Sequence, residues 1–341
     1  MTNPHFSRLA RDALAINRRV KHHLRHFRYG LRRLKVRIAG DPEEPPLVET
    51  VDDALARLER GEVAQFMVPL ADCRLKTAQS FGRSGWNPFS ELVRELIAAP
   101  DLVYRDSILA RYYHAWRPRN GAESVAGLET SCRGLVAFPA WAIQISPWDS
   151  RDLDAGLRRA QVSFERDMSQ NGEPGITLQK DGFYRFGPVS DRLGEVEFAR
   201  FRKTLGQIRN RGYNRAAGLE LGDPGVLVDV LERGTERCFV NRNGLHRMAV
   251  MDALGHDYMP VRLYRRRLIR REDADDWPNV KRGLWSKAEA LRYFDHLFEF
   301  DARSWARGLG LMSRGAADRS APEARLSGAA SPWQDGSQAA G

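Results

Sequence analysis

Two short stretches of this chain carry residue types that could hold and transfer an anionic group. Asn243, Gly244, His246 and Arg247 stand in the run Asn241-Arg242-Asn243-Gly244-Leu245-His246-Arg247, and Glu195 and Glu197 stand in Gly194-Glu195-Val196-Glu197. A glycine that turns a strand into a helix leaves backbone N–H groups at the helix start, and His246 and Arg247 add donors of their own in that first turn. Such a corner suits an anion, phosphate foremost, because a guanidinium makes strong charge-assisted bonds. Phosphoryl transfer or hydrolysis also needs a carboxylate that takes a proton or holds a metal. Glu195 and Glu197 are the first candidates for that role, with Asp191 and Asp229 next in line. Blander accounts of the same residues stand beside this one. Gly-x-His-Arg can be a purely structural corner with His246 capping a carbonyl and Arg247 solvated, and the two glutamates can be first-turn carboxylates at a helix dipole.

The elements that must position these residues follow from periodicity. Cys238-Phe239-Val240 is β-like and breaks at Asn241. Met248, Val250, Met251 and Leu254 then recur at helical spacing up to Gly255, a glycine suited to a left-handed cap, and Tyr258 to Leu263 alternates as a strand. Val226-Leu227-Val228 supplies a strand before the Glu232-Arg233-Gly234 turn. Glu195 to Arg211 is predicted as a helix with Phe201, Leu205 and Ile208 on one face, following the loop that ends Gly187-Pro188-Val189-Ser190. Upstream, Asp52 to Arg60 reads as a helix and Ala64 to Leu70 as a strand ended by Pro69. Asn87-Pro88 starts a helix carrying Phe89, Leu92, Val93 and Leu96, and Ser107 to Trp116 is a second, aromatic-rich helix. Tyr112, Tyr113 and Trp116 with their neighbouring arginines could form a sugar or base platform, but core with a snorkelling rim weighs more. A polar helix near Asp152 to Met168, a turn at Asn171 to Gly175, a short strand at Ile176 to Leu178 and a closing helix from Lys287 to Phe300 complete the expectation.

The box Gly244-Leu245-His246-Arg247, with the strand before it, the short helix after it and the closing strand Gly255 to Leu263, resembles the ParB/sulfiredoxin superfamily over roughly residues 176 to 268. The resemblance implies a small mixed sheet flanked by helices, and nucleotide phosphate held at Asn243, Gly244, His246 and Arg247. ATP leads among nucleotide triphosphates, with or without Mg2+, and a kinase acting on a small molecule or glycan leads among the activities. Two departures narrow it. Leu245 stands where sulfiredoxins carry their reactive cysteine, which argues against sulfinic-acid repair, and neither a glutamate-arginine-arginine box nor a helix-turn-helix reader follows, which argues against centromere partitioning. The spacing Trp86-Asn87-Pro88-Phe89, Asp106-Ser107, Tyr112-Tyr113, Trp116-x-Pro118 is similar to a module that precedes such domains in bacterial proteins of glycan gene neighbourhoods.

Composition sets the remaining bounds. With 341 residues, 42% of them apolar, the chain can bury a full core of an α/β (mixed α+β) protein. The net charge of +10 is matched by residues 1–37 alone, where eleven Lys/Arg face Asp12. In that arm Phe6, Ala13, Ile16, Val20, Leu24, Phe27, Leu31 and Leu34 line one face of a helix, suited to nucleic acid, an anionic membrane surface, or packing within the protein or a homodimer. The expected organisation is a basic amphipathic arm (1–40), a linker (41–50), a mostly helical module (51–170), the superfamily-like domain (171–312) and a disordered tail (313–341). Cys73, Cys132 and Cys238 are too few and scattered for a disulfide framework, no run reaches the ~18–20 apolar residues of a membrane span, and no secretion signal opens the chain. A cytoplasmic protein, peripheral to the membrane if the arm docks there, is the expectation. The main alternative to a nucleotide-using enzyme is a non-catalytic interaction protein docked by its arm.

Overall fold

Helix starts in this protein are set by local cap chemistry. In the computed structural model, which describes residues 44–128, 130–215 and 225–312, α1 (Val51–Glu59) opens on a capping box between Thr50 and Asp53. Asn87 caps α2 (Pro88–Ala98), Ser107 caps α3 (Ile108–Ala115), Asp152 caps α4 (Leu153–Gln170) and Thr177 caps α5 (Leu178–Asp181). Ser190 caps α6 (Asp191–Arg211), and α7 (Leu245–Ala253) opens instead on Gly244 in the left-handed conformation. α8 (Pro278–Lys281), α9 (Lys287–Glu299, with a capping box from Ser286) and α10 (Ala302–Gly308) follow. Each side-chain cap satisfies a first-turn N–H that the helix itself cannot. The expected arm and tail lie outside the described residues.

The strands β1 (Leu47–Val48), β2 (Gln65–Pro69), β3 (Cys73–Arg74), β4 (Leu227–Arg233), β5 (Glu236–Asn243) and β6 (Tyr258–Arg270) form one mixed sheet in the order β1-β2-β6-β4-β5-β3. β4 and β5 are an antiparallel hairpin in which Asp229 lies opposite Val240, and β3 runs parallel to β5 with Cys73 opposite Phe239. Alternation along β5 sends Phe239 to one face and Cys238 and Val240 to the other, and each face has its own core. On the first, α2, α6 and α7 pack together through Phe89, Leu92, Phe201, Leu205, Met248 and Met251. On the second, Tyr293, Phe294 and Leu297 of α9 meet Trp148, Trp277 and Trp285. The architecture is therefore α/β with a mixed sheet covered on both faces.

Three expectations change. β2 and β3 belong to the same sheet as β4 to β6, so residues 51–170 are not a separate helical module; strand pairing joins segments far apart in sequence. Ile176 to Leu178 is not a strand: the Thr177 side chain accepts from Lys180 N–H and Asp181 Oδ2 accepts from Thr177 N–H at 2.9 Å, and these two side-chain bonds start α5. β5 does not break at Asn241 but runs to Asn243, because Asn241 and Asn243 still pair across to Val228 and Leu227. The main unit comprises Leu47–Tyr213 and Val226 onward. A smaller grouping takes in residues up to Pro46 and Asn214–Gly225, and among its described residues Arg215 pairs with Glu44 at 2.9 Å. The three cysteines are buried free thiols, and no helix among the described residues is long and apolar enough to cross a membrane.

Candidate anion site

β5 delivers the chain to Gly244, whose φ of 79° and ψ of 28° turn it at once into α7. Only glycine fits comfortably there: a Cβ would stand 2.7 Å from Val226 Cγ2 and 3.0 Å from Val226 Cα. Gly244 also brings no side chain to the N–H groups of the first turn, unlike the serine, threonine and aspartate caps elsewhere. Leu245, Met248, Ala249 and Met251 are buried and hold α7 against α2 and α6, so the corner is rigidly placed.

The packing of α7 on α6 brings His246 to Glu197. His246 Nε2 lies 2.9 Å from Glu197 Oε2, the other carboxylate oxygen accepts from Arg200 at 2.6 Å, and Arg200 reaches Asp167 of α4 at 2.9 Å. The Phe201 ring lies against the imidazole, with centroids 4.3 Å apart. Burial alone would raise the Glu197 pKa, but Arg200 and His246 outweigh it and hold the carboxyl at about 2. Burial lowers the pKa of His246 despite the carboxylate beside it, so the imidazole is neutral at pH 7. An ionised carboxylate can only accept, which places the proton of the neutral ring on Nε2 and leaves Nδ1 as an acceptor. Glu197 thereby fixes the tautomer and orientation of a ring that is 16% exposed.

The two glutamates part company. Residues two apart on a helix point roughly 200° away from each other, and while Glu197 is fully buried, Glu195 is exposed on the solvent side of α6. Of the reserve carboxylates, Asp191 is exposed 3.8 Å from Arg105, and Asp229 is buried, accepting from Trp148 Nε1 at 3.2 Å and lying 3.4 Å from Arg242. Asn243 and Arg247 are partly buried on either side of the corner, and the Asn243 carbonyl accepts from Asn241 Nδ2 at 2.9 Å. Arg200 and Asp167 were not singled out from sequence, and Phe201 was read only as part of the apolar face of its helix. Arg200 had a signal, since a Glu and an Arg three apart on a helix are natural partners; Asp167 and Phe201 are joined to the site by tertiary packing.

Chemically, the corner offers first-turn backbone donors, the Arg247 cation and a neutral imidazole held by an ionised glutamate. Among the described residues no group of three or more His, Cys, Asp or Glu gathers to hold a metal ion. A shallow depression of about 610 Å³ lies at the opposite end of β5, beside Gly234, Thr235 and Arg237, and takes no part in the corner. Comparison with family models, with curated proteins and with solved structures finds no match for this chain.

Proposed function

We propose that this chain is a nucleotide-binding protein whose corner at Asn243, Gly244, His246 and Arg247 holds the phosphates of a nucleoside triphosphate, ATP first. The observation that carries the proposal is the strand, left-handed glycine and helix arranged around an imidazole pinned by Glu197. A helix start without a side-chain cap attracts an anion through its N–H groups and its dipole, and Arg247 adds a cation in the same turn. The ParB/sulfiredoxin resemblance points the same way.

Transfer of the phosphoryl group to a hydroxyl of a small molecule or glycan would use His246 as the proton acceptor, at Nδ1, with Glu197 as its positioning residue. Burial and full engagement of both Glu197 oxygens suit that supporting role better than direct contact with substrate. Glu195, being exposed, is left to contact a substrate outside the core. A magnesium ion would arrive on the triphosphate, which supplies most of its oxygen ligands itself. The alternative, a non-catalytic protein docked through residues 1–37, rests on their charge.

The direct test is nucleotide titration. Arg247→Ala is expected to weaken ATP binding by about 1.5–3 kcal/mol, the range for a charge-assisted contact. Unchanged affinity in a folded variant removes the phosphate assignment.

A further inference from the structure

On the flank of β5 away from α7, a second set of buried cations outnumbers the carboxylates around it. Past β3 the chain makes a tight turn, with Leu75 N–H donating to the Gln79 carbonyl at 2.8 Å, and that turn holds Lys76 in the interior at 3% exposure. Lys76 Nζ donates to the Gln144 carbonyl, and the Lys76 carbonyl accepts from Tyr293 Oη at 2.8 Å. Arg185 is equally enclosed, at 5% exposure. Its carbonyl accepts from Tyr112 Oη at 2.6 Å and its Nη2 donates to Asn241 Oδ1 at 3.2 Å, but its Nε and Nη1 have no hydrogen-bond partner. The Gln144 Nε2 group is also buried without a partner.

The carboxylates of this region are already committed. Arg242 takes Asp149 at 3.2 Å and Asp229 at 3.4 Å, and its guanidinium lies over the Tyr264 ring. Lys76, Arg185 and Arg242 thus carry three formal positive charges against the two negative charges of Asp149 and Asp229, and neither Lys76 nor Arg185 makes an ion pair of its own among the described residues. Burial is the main reason that the Lys76 pKa falls well below the usual lysine range; Arg242 and Arg185 add to the effect, and Asp149 and Asp229 oppose it. The unpaired side-chain atoms of this set, Arg185 Nε and Nη1 and Gln144 Nε2, are all nitrogen donors, so its complement is an acceptor-rich oxyanion. Uncompensated buried charge and unpaired buried donors are both costly, and one oxyanion relieves both.

We propose that Lys76 and Arg185 form a buried receptor for a phosphate group, taken up free or as a phosphate monoester, at the end of β5. The receptor does not depend on nucleotide binding at Gly244. Arg185 reaches it through Asn241, two residues before Asn243, so the two sites share the strand that ends at both.

The test uses the full chain in phosphate-free buffer, titrated calorimetrically with inorganic phosphate and, separately, with glycerol phosphate. Saturable binding is expected, and tighter binding of glycerol phosphate would assign the receptor to monoesters, tighter binding of inorganic phosphate to the free ion. Lys76→Met and Arg185→Gln should each weaken it by roughly tenfold or more. The absence of saturable binding to the wild-type chain overturns the proposal, and so does wild-type affinity in folded Lys76→Met. If Arg185→Gln does not fold, Lys76→Met carries the test. Loss in Arg247→Ala with retention in Lys76→Met would move the anion to the Gly244 corner, overturning this inference and leaving the nucleotide proposal standing. Loss in Lys76→Met together with unaltered ATP affinity in Arg247→Ala would do the reverse.

Discussion

Glu197 shows how one buried carboxylate ties protonation to stability. Its pKa of about 2 lies below the ordinary 4.5, so the folded state binds the proton more weakly than the unfolded chain does. Its contribution is full above about pH 4.5 and is lost as the pH falls towards 2, with a size on the order of 3 kcal/mol. His246 acts in the same direction at higher pH, because its depressed pKa means the unfolded chain takes up the proton first as the pH drops below 6.5. Urea unfolding of the wild type is therefore expected to weaken in two stages, below pH 6.5 and again below 4.5. In Glu197→Gln the second stage should flatten, and at pH 7 the variant should be less stable by on the order of 3 kcal/mol, because Arg200 and His246 lose their charged partner. An acid profile that keeps the same shape in the variant would remove Glu197 from this role. Glu195→Gln, at an exposed position, should leave both stability and profile as they are.

At the scale of elements, the corner depends on two glycines that bracket α7 and differ in surroundings. Gly244 and Gly255 have φ of 79° and 84°, but a Cβ on Gly244 would press on Val226 while one on Gly255 would meet nothing within 4 Å. Gly255→Ala should pay only for the left-handed backbone, about 1–2 kcal/mol. Gly244→Ala adds a contact with the backbone of the strand start, so its loss should be clearly larger, and nucleotide affinity should fall with it because α7 is displaced. Thermal unfolding of the two single variants makes the comparison, and equal losses would mean that β4 yields to the added methyl. The same scale explains why α5 formed where a strand was expected: Thr177 capping the Lys180 N–H and Asp181 taking the Thr177 N–H outweighed the β preference of Ile176 and Thr177.

Over the whole molecule, charge separates from fold. All of the net +10 resides before Ile38, so the rest of the chain is formally neutral. Deleting residues 1–40 should abolish binding to polyanions or anionic vesicles, and nucleotide and phosphate binding should survive in the remaining chain. Binding by the intact chain should fall steeply with added salt, because exposed contacts separated by more than about 8 Å are screened at physiological ionic strength. Cosedimentation with vesicles and with nucleic acid over a salt series measures this. Salt-insensitive binding, or binding retained after the deletion, would instead favour a helix that packs its apolar face within the protein or a dimer.

Elements governed by short-range chemistry were legible in the amino-acid sequence. The starts of α1, α2 and α3, the turn between β4 and β5, the glycine before α7 and the burial of the aromatic helix around Tyr112 all follow from caps, turn residues and periodicity. The pairing of Glu197 with His246 was partly legible, since both were singled out for the same chemistry. Which of the two glutamates would face inward depended on the rotation of α6 against α7, set by Phe201, Leu205 and Met248 in the shared core. Only tertiary structure could place β3 beside β5 and so bring Lys76 to the same strand end as Arg185 and Asn241. The reason is physical: a cap or a turn acts over three or four residues, whereas a buried charge finds its partners, or lacks them, according to which strands happen to be neighbours across a sheet.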